Sequence, residues 1–311
     1  MLSFIRNSKL SYAVFNFFNK EKLNHNISLY QKYGLKKKYY SPISSKDFEG
    51  IKESYCRRED NDKVRNSDFF KNLSEENKES LLDFHNKGYC IIRGFLNNDT
   101  VDEVNNEIQR LVDTRKIKFR YANKLMFAIH HSKLIEKIGQ NKYLLDVLSI
   151  LFDGKAKLFQ SINFINGSEQ KTHSDSIHMT TFPHGGLLGV WVALEDVSAE
   201  NGALHYYPES HKLPYFMNSD YDNEGTKFML GKKGYKEYEE FLNSRINDLK
   251  LEKKVFDCKK GDMLIWHANI LHGGEPHTNK NRTRKSMVFH YFDENSICYH
   301  EITQRPALFK N

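Results

Sequence analysis

Cysteine is scarce in this chain. Four occur in 311 residues (Cys56, Cys90, Cys258, Cys298), widely separated and never as C-x-x-C. That spacing excludes a zinc knuckle or a thioredoxin-like pair. A disulfide framework would need denser cysteines in a smaller chain. The four read as buried free thiols of a cytoplasmic protein. Long apolar runs are missing too: no stretch approaches the roughly 18 residues that a membrane-spanning helix requires. The opening MLSFIRNSKLSYAVFNFFNK has neither an uninterrupted apolar centre nor a small-residue cleavage site, so it does not read as a secretory signal. Its interleaved aromatics and lysines fit either an interfacial helix or a segment packed on the body of the protein, and packing is the commoner fate. A basic surplus is absent from the body. Residues 1–40 hold eight Lys/Arg against Glu21 alone, whereas 41–311 hold 39 basic and 39 acidic residues. The net charge of +7 therefore belongs to an N-terminal arm. A nucleic-acid-binding protein would carry a basic face on its folded domain, so that class is set aside. No internal repeat is visible.

What is present is core-forming material. Hydrophobic residues make up 39% and aromatics 13%, with 22 Phe and 17 Tyr, which argues for a folded chain and against disorder. Residues 1–75 read as a basic arm followed by polar sequence, with RREDNDKVRNSD as exposed loop. A short helix is predicted from Ser74 to His85, ended by Gly88. YCIIRGF (89–95) reads as a buried strand. Thr100 and Glu103 match a capping box, and Val101, Val104, Ile108 and Leu111 follow at helical spacing. A helix pair fits 132–152, with Ser132 as a cap. The second half changes character: AKLFQSINFI (156–165), GLLGVWVALEDV (186–197), ALHYYP (203–208), DMLIWHA (262–268) and KSMVFHYF (285–292) read as strands. Closely spaced strands suggest a double-sheet jelly roll or barrel. The predicted class is α+β, with a body over 76–311. A charged insertion at 216–255 contains a helical stretch that could form a lid or remain a solvated surface helix.

The chemistry-bearing residues begin at THSDSIHMTTFP (172–183). An H-x-D triplet is expected about once by chance in a chain with 14 histidines. If 172–176 is extended, His173 and Asp175 point the same way and His178 the other. An imidazole and a carboxylate side by side form two-thirds of a facial triad. Downstream, GDMLIWHANILHGGEPHTNKNRTRKSMVFHYF (261–292) places His272 before Gly273-Gly274, where glycine would let the backbone turn beside a bulky centre. His267, inside the apolar strand, reads as a packed histidine. Arg284, Ser286, Val288 and His290 alternate onto one face, and a guanidinium beside a hydroxyl suits a carboxylate. Arg282 is the competing arginine, and Ser286, on the same strand face two residues after Arg284, favours Arg284. Two histidines and an aspartate would leave open positions on a divalent metal, the pattern of non-haem Fe(II) oxygenases.

HSDSIHMTTFP, GVWVALEDVSAENGALHYYPESHKLP and KKGDMLIWHANILHGG…TRKS together resemble the phytanoyl-CoA dioxygenase family, which includes ectoine hydroxylase. The resemblance covers roughly residues 80–295 and leaves residues 1–75 outside. It implies a double-stranded β-helix (jelly-roll) core with N-terminal helices packed on one sheet, and an Fe(II)/2-oxoglutarate-dependent dioxygenase. By that similarity His173, Asp175 and His272 are the iron ligands, and Arg284 with Ser286 holds the far carboxylate of 2-oxoglutarate. Gln160 and Asn163 would approach the co-substrate, and Trp191 would wall the pocket. Relatives that halogenate replace the carboxylate with a small residue. Asp175 therefore implies hydroxylation, with O2 consumed and succinate and CO2 released. PESH at 208–211 departs from the family's P-G-S-H, a change confined to a turn.

Two other readings use the same residues: a non-catalytic metal-binding jelly-roll module and a zinc-dependent hydrolase. Neither needs the Arg284/Ser286 pair. The substrate class stays open between a small molecule and an acyl compound. Lys116, Lys118, Arg120 and Lys124 are the residues that could receive an acyl-CoA, and the basic arm could touch a membrane or an acyl carrier.

Overall fold

The computed structural model describes residues 7–51, 60–121 and 123–309. Its strands are β1 (Tyr89–Ile92), β2 (Phe119–Arg120), β3 (Lys124–Met126), β4 (Ala156–Phe164), β5 (Thr180–Phe182), β6 (Leu187–Ala193) and β7 (Leu204–Tyr206). They continue as β8 (Lys254–Phe256), β9 (Met263–His267), β10 (His272–Gly274), β11 (Ser286–Asp293), β12 (Ile297–His300) and β13 (Arg305–Pro306). Seven form one antiparallel sheet in the order β1-β9-β6-β11-β4-β3-β2. Two smaller sheets, β10-β7-β8 and β13-β12-β5, complete the β core.

Period-two alternation in the central strands sorts side chains between two cores. Leu188, Val190 and Val192 of β6 pack on helices with Met263 and Ile265 of β9 and Met287, Phe289 and Tyr291 of β11. The helices are α1 (Lys9–Phe18), α2 (Asn26–Lys32), α3 (Asn61–Asn66), α4 (Asp68–Lys71), α5 (Glu75–Leu82), α6 (Phe84–Lys87), α7 (Asn98–Asp113), α8 (Lys133–Gly139), α9 (Lys142–Phe152) and α10 (Tyr235–Asp248). α7 buries Val101, Val104, Ile108 and Leu111 against the sheet, the stripe expected from the sequence. α8 and α9 add Ile135, Ile138, Leu144, Val147, Leu148 and Leu151. The opposite strand faces meet β7 and β8: Trp191, Ala193, Leu264, Trp266 and Val288 cluster with Leu204, Tyr206 and Phe256. The fold is α+β, a jelly-roll core with helices on one sheet, as expected.

Several local expectations shift. α7 starts three residues before the expected capping box, because the Asn97 side chain accepts a hydrogen bond from the Thr100 backbone N–H and asparagine caps as well as threonine does. The helix read from Ser74 breaks into α5 and α6, and Gly88 ends α6 in the left-handed region, φ 80°. Part of the stretch read as exposed loop folds as α3 and α4, capped by Asp60 and Ser67 and anchored by buried Val64, Phe69 and Phe70. The rest of it, 57–59, lies outside the described residues, as does Cys56. Cys90, Cys258 and Cys298 are buried free thiols. Residues 26–51 pack on the β13-β12-β5 sheet: Phe48 stacks on Phe182 with ring centroids 4.0 Å apart, and Ser45 donates its N–H and hydroxyl to Glu301 at 2.9 and 2.8 Å. Among the described residues no helix is long and apolar enough to cross a membrane.

Alternation also decides the place of Asn163. Its cross-strand partners are Met287 and Leu125, both in the helix-side core. Asn163 therefore faces the helices, and neither atom of its buried amide has a hydrogen-bond partner. Asn163→Leu is expected to raise stability by about 1 kcal/mol, because it replaces an unsatisfied buried amide with an apolar group of similar size. A lower denaturation midpoint would contradict that placement. Gly189 is a point of close approach: a Cβ there would lie 2.3 Å from the Trp266 ring. Gly189→Ala is expected to cost about 2 kcal/mol, read as a lower midpoint in chemical denaturation. An unchanged midpoint would show that Trp266 can move.

Candidate metal centre

The segment 172–178 is not the extended strand that its alternation suggested. His173 forms a two-residue bridge with His272, each backbone N–H donating to the other's carbonyl at 2.8 and 2.9 Å. The chain then turns, with the Ser174 hydroxyl accepting from the Ser176 N–H and Asp175–Ile177 forming a 3-10 turn. The turn swings His178 toward the same cavity as His173 and Asp175, so the expectation that it faces away is corrected.

The bridge brings together residues 99 positions apart in sequence. One ligand atom from each of His173, Asp175 and His272 can be chosen so that all three lie within 4.8 Å of one another, and all three side chains are buried. His173 Nε2 is 3.8 Å from one Asp175 oxygen, and His272 Nε2 is 3.8 Å from the other. The outer ring nitrogens are oriented by the backbone: Nδ1–H of His173 donates to the Lys171 carbonyl at 2.9 Å, and Nδ1–H of His272 to that of Ile270 at 3.1 Å. That tautomer leaves each Nε2 as a lone-pair donor, the arrangement expected of metal-binding histidines. Burial, reinforced by His272, holds His173 well below the usual imidazole range, so it is neutral, the ligand form. Burial opposes the Asp175 charge, but His272 and His290 outweigh it and keep the carboxyl well below its usual range. The Trp266 indole N–H donates to the same carboxylate at 2.8 Å.

Gly273 serves close approach rather than a turn. It lies in β10, and a Cβ there would stand 2.7 Å from the Gln170 carbonyl and from the His205 ring.

Arg284 lines the same cavity as the triad and is 2% exposed. Its Nη1 donates to the Ser286 hydroxyl at 2.7 Å, while its Nε has no hydrogen-bond partner. The guanidinium lies between Phe164 and Trp191, 5.5 and 5.8 Å from their ring centroids. Burial pushes its pKa down to about 10, which still leaves it charged at neutral pH. A buried cation with an open donor is a receptor for an anion. Arg282, the competing arginine, instead donates to the Asp196 carbonyl at 2.8 Å and to Ser198 at 3.2 Å.

Trp191 lines this inner compartment, and Gln160 lines the outer one, where its Nε2 is 3.2 Å from His290 Nδ1. Asn163 is not brought to either, since its neighbours Ile162 and Phe164 take the cavity side of β4. His267 sits in β9 with its ring 5.4 Å from that of His211, outside the triad. The outer compartment measures ≈ 680 Å³. Of the four basic residues considered for an acyl-CoA, Lys124 lines both compartments, and Lys116, Lys118 and Arg120 are exposed. Burial lowers the Lys124 ammonium, opposed by the Asp175 charge. Sequence reasoning did not assign roles to Trp266, Gln170 or Tyr235. Alternation along β9 carried a signal for Trp266. Gln170 and Tyr235 come from a loop and from α10, where no periodicity points to a site.

The chain also has relatives. The profile described as phytanoyl-CoA dioxygenase (PhyH) matches residues 84–286. A phytanoyl-CoA dioxygenase domain-containing protein 1 homolog from Dictyostelium discoideum is 23% identical over 283 residues, covering 71% of this chain and 93% of the relative. Among solved structures, the non-heme alpha ketoglutarate dependent carbocyclase SnoK from nogalamycin biosynthesis superposes with a TM-score of 0.59 at 15% identity, covering 75% of this chain and 89% of that one. EctD from S. alaskensis, solved with 2-oxoglutarate and 5-hydroxyectoine, gives 0.52 at 16% identity, covering 71% and 76%. With the profile spanning well over half its length, this chain belongs to the phytanoyl-CoA dioxygenase family.

Proposed function

We propose that the chain is an Fe(II)- and 2-oxoglutarate-dependent dioxygenase that hydroxylates an unactivated C–H bond. The observation that carries this reading is a buried guanidinium, its Nε without a hydrogen-bond partner, in the same cavity as a buried His-Asp-His cluster. The donor set fits a divalent metal that keeps open positions: two imidazoles and one carboxylate. The Arg284 fork and the Ser286 hydroxyl fit the far carboxylate of a dicarboxylic co-substrate, whose other end would reach the metal. A zinc hydrolase would have no use for that receptor. Bound there, iron and 2-oxoglutarate would supply the oxidative chemistry: O2 is consumed, 2-oxoglutarate becomes succinate and CO2, and one oxygen atom enters the substrate C–H.

The protein's own groups do the rest. His173 Nε2, His272 Nε2 and the Asp175 carboxylate hold the metal. Trp266 fixes the carboxylate's orientation through its N–H, as outer hydrogen bonds do at metal sites. Phe164 and Trp191 flank the anion receptor and exclude water, which strengthens its electrostatics. The insertion at 216–255 reaches the site through Tyr235, the first residue of α10, which lines the outer compartment and on this reading forms part of its cover. Tyr235 accepts a hydrogen bond from the Gln170 amide at 3.0 Å, and its ring lies 4.5 Å from that of His178. Burial pushes His178 and His300 down to about 3 and about 4, so this part of the wall presents neutral rings.

Anaerobic addition of Fe(II) and 2-oxoglutarate is expected to give a visible metal-to-ligand charge-transfer band. His173→Ala should abolish it. Arg284→Lys should keep the band but weaken 2-oxoglutarate binding about 10- to 100-fold, since the two-pronged contact is lost. No band in the native chain, and no succinate in air with any substrate tried, would overturn the proposal. Tyr235→Ala is expected to leave the band intact and to release succinate severalfold in excess of hydroxylated product. Unchanged coupling would show that α10 does not cover the site.

A further inference from the structure

α1 is built inside out. Leu10, Val14, Phe17 and Phe18, at i, i+4, i+7 and i+8, form one apolar stripe that is 68, 49, 45 and 80% exposed. The opposite face carries polar groups inward. Asn16 is 1% exposed and donates its amide to the Tyr40 carbonyl at 3.0 Å, while the Arg305 guanidinium lies over the Tyr12 ring at 5.0 Å. A surface helix normally does the reverse. The patch extends beyond the helix. Backbone pairing of Lys9 with Phe228 and of Leu230 with Asn7 sets Phe228, also largely exposed, beside its N-terminal end.

Cations ring this patch. Lys20 Nζ is 5.1 Å from the Phe17 ring and Lys227 Nζ 5.7 Å from that of Phe228. Lys38 Nζ is 5.8 Å from the Tyr40 ring, which itself meets Phe17 edge-on at 5.6 Å. Residues 1–40 hold eight basic residues against one acid. The helix also borders the cavity: Phe15 and Asn16 line it, with Tyr121 as another lining residue, 80% exposed. Exposed aromatic and aliphatic side chains among lysines form the pattern of an interfacial helix, where apolar insertion and attraction to anionic headgroups add.

We infer that the outward face of α1 and its flanking lysines dock the protein on an anionic lipid bilayer, with the cavity opening at that surface to take a lipid-borne substrate. The docking stands on the helix and its flanking residues, while the substrate class rests on the function proposed above. The apolar cavity wall of Met126, Phe159, Ile162, Met179 and Leu308 suits the body of such a molecule. An acidic carrier protein would be read through the lysines and would leave the exposed stripe unused.

The test is flotation of the full-length, metal-free chain with phosphatidylcholine vesicles, with and without phosphatidylglycerol. The chain is expected to float with the anionic vesicles and to be released by salt. The double variant Lys20→Glu/Lys38→Glu should lower the bound fraction at least tenfold, from about fivefold per lost charge. Leu10→Ser/Phe18→Ser should lower it comparably, with an unchanged thermal midpoint because both side chains are exposed. No flotation, or full retention by the serine variant, overturns docking. So does a native dimer that the serine variant dissolves and that shows no vesicle binding, since the stripe would then join two copies. A chain that floats but gives no charge-transfer band with Fe(II) and 2-oxoglutarate keeps the docking and removes the substrate assignment.

Discussion

The structure turns on two reciprocal backbone hydrogen bonds between His173 and His272. They join the end of the loop before the 3-10 turn to β10, and so bring to one point two imidazoles from distant parts of the chain. Each ring is then held by its own backbone, through the carbonyl two residues earlier. Asp175 enters the cluster because the chain turns immediately after the bridge. Had the segment continued as a strand, the aspartate would have lain farther along an edge. Gly273 permits the bridge, since any side chain there would collide with the Gln170 carbonyl and His205. Sheet pairing thus does the work that a compact sequence motif does in a zinc finger.

Around this clamp the fold keeps two kinds of interior apart. Helices cover one face of the large sheet with an aliphatic layer, and that layer provides much of the hydrophobic stabilisation, about 1.5–3 kcal/mol for each fully buried large side chain. The other face carries Ser286 and Trp266 beside an aromatic cluster, and the cavity on that side holds Arg284 and the triad. Burying an arginine without a carboxylate partner is unfavourable. The helix-backed sheet makes that tolerable, because β11 and β6 are fixed from behind by packing that has no part in the chemistry. An anion entering the cavity would recover part of that cost.

The parts legible in sequence were those governed by period two. Arg284, Ser286, Val288 and His290 were expected on one strand face; Ser286, Val288 and His290 take alternate positions of β11, and Arg284, just before its start, lines the cavity with Val288 and His290. The strands of 156–165, 262–268 and 285–292 and the stripe of α7 were also readable, because burial on one or both faces writes itself into residue type. The illegible parts were set by backbone turns. His178 was assigned to the wrong side because a 3-10 turn breaks the alternation after Ser174. Asn163 was carried to the cavity by resemblance, while its own parity on β4, opposite to that of Gln160, places it on the helix side. Short strands such as β5, β10 and β12 escaped notice since three or four residues hold too little pattern. The N-terminal segment was read as packed on the body. The structure packs its polar face and leaves its apolar stripe outside, an inversion that composition alone does not reveal.

Anomalous diffraction at the iron edge, from crystals grown without oxygen in Fe(II) and 2-oxoglutarate, should show a single strong peak bounded by His173 Nε2, His272 Nε2 and the Asp175 carboxylate, with a dicarboxylate running from it to the Arg284 guanidinium. Iron bound elsewhere, or a peak at the triad with Arg284 paired to a protein carboxylate and no co-substrate density, would contradict that arrangement.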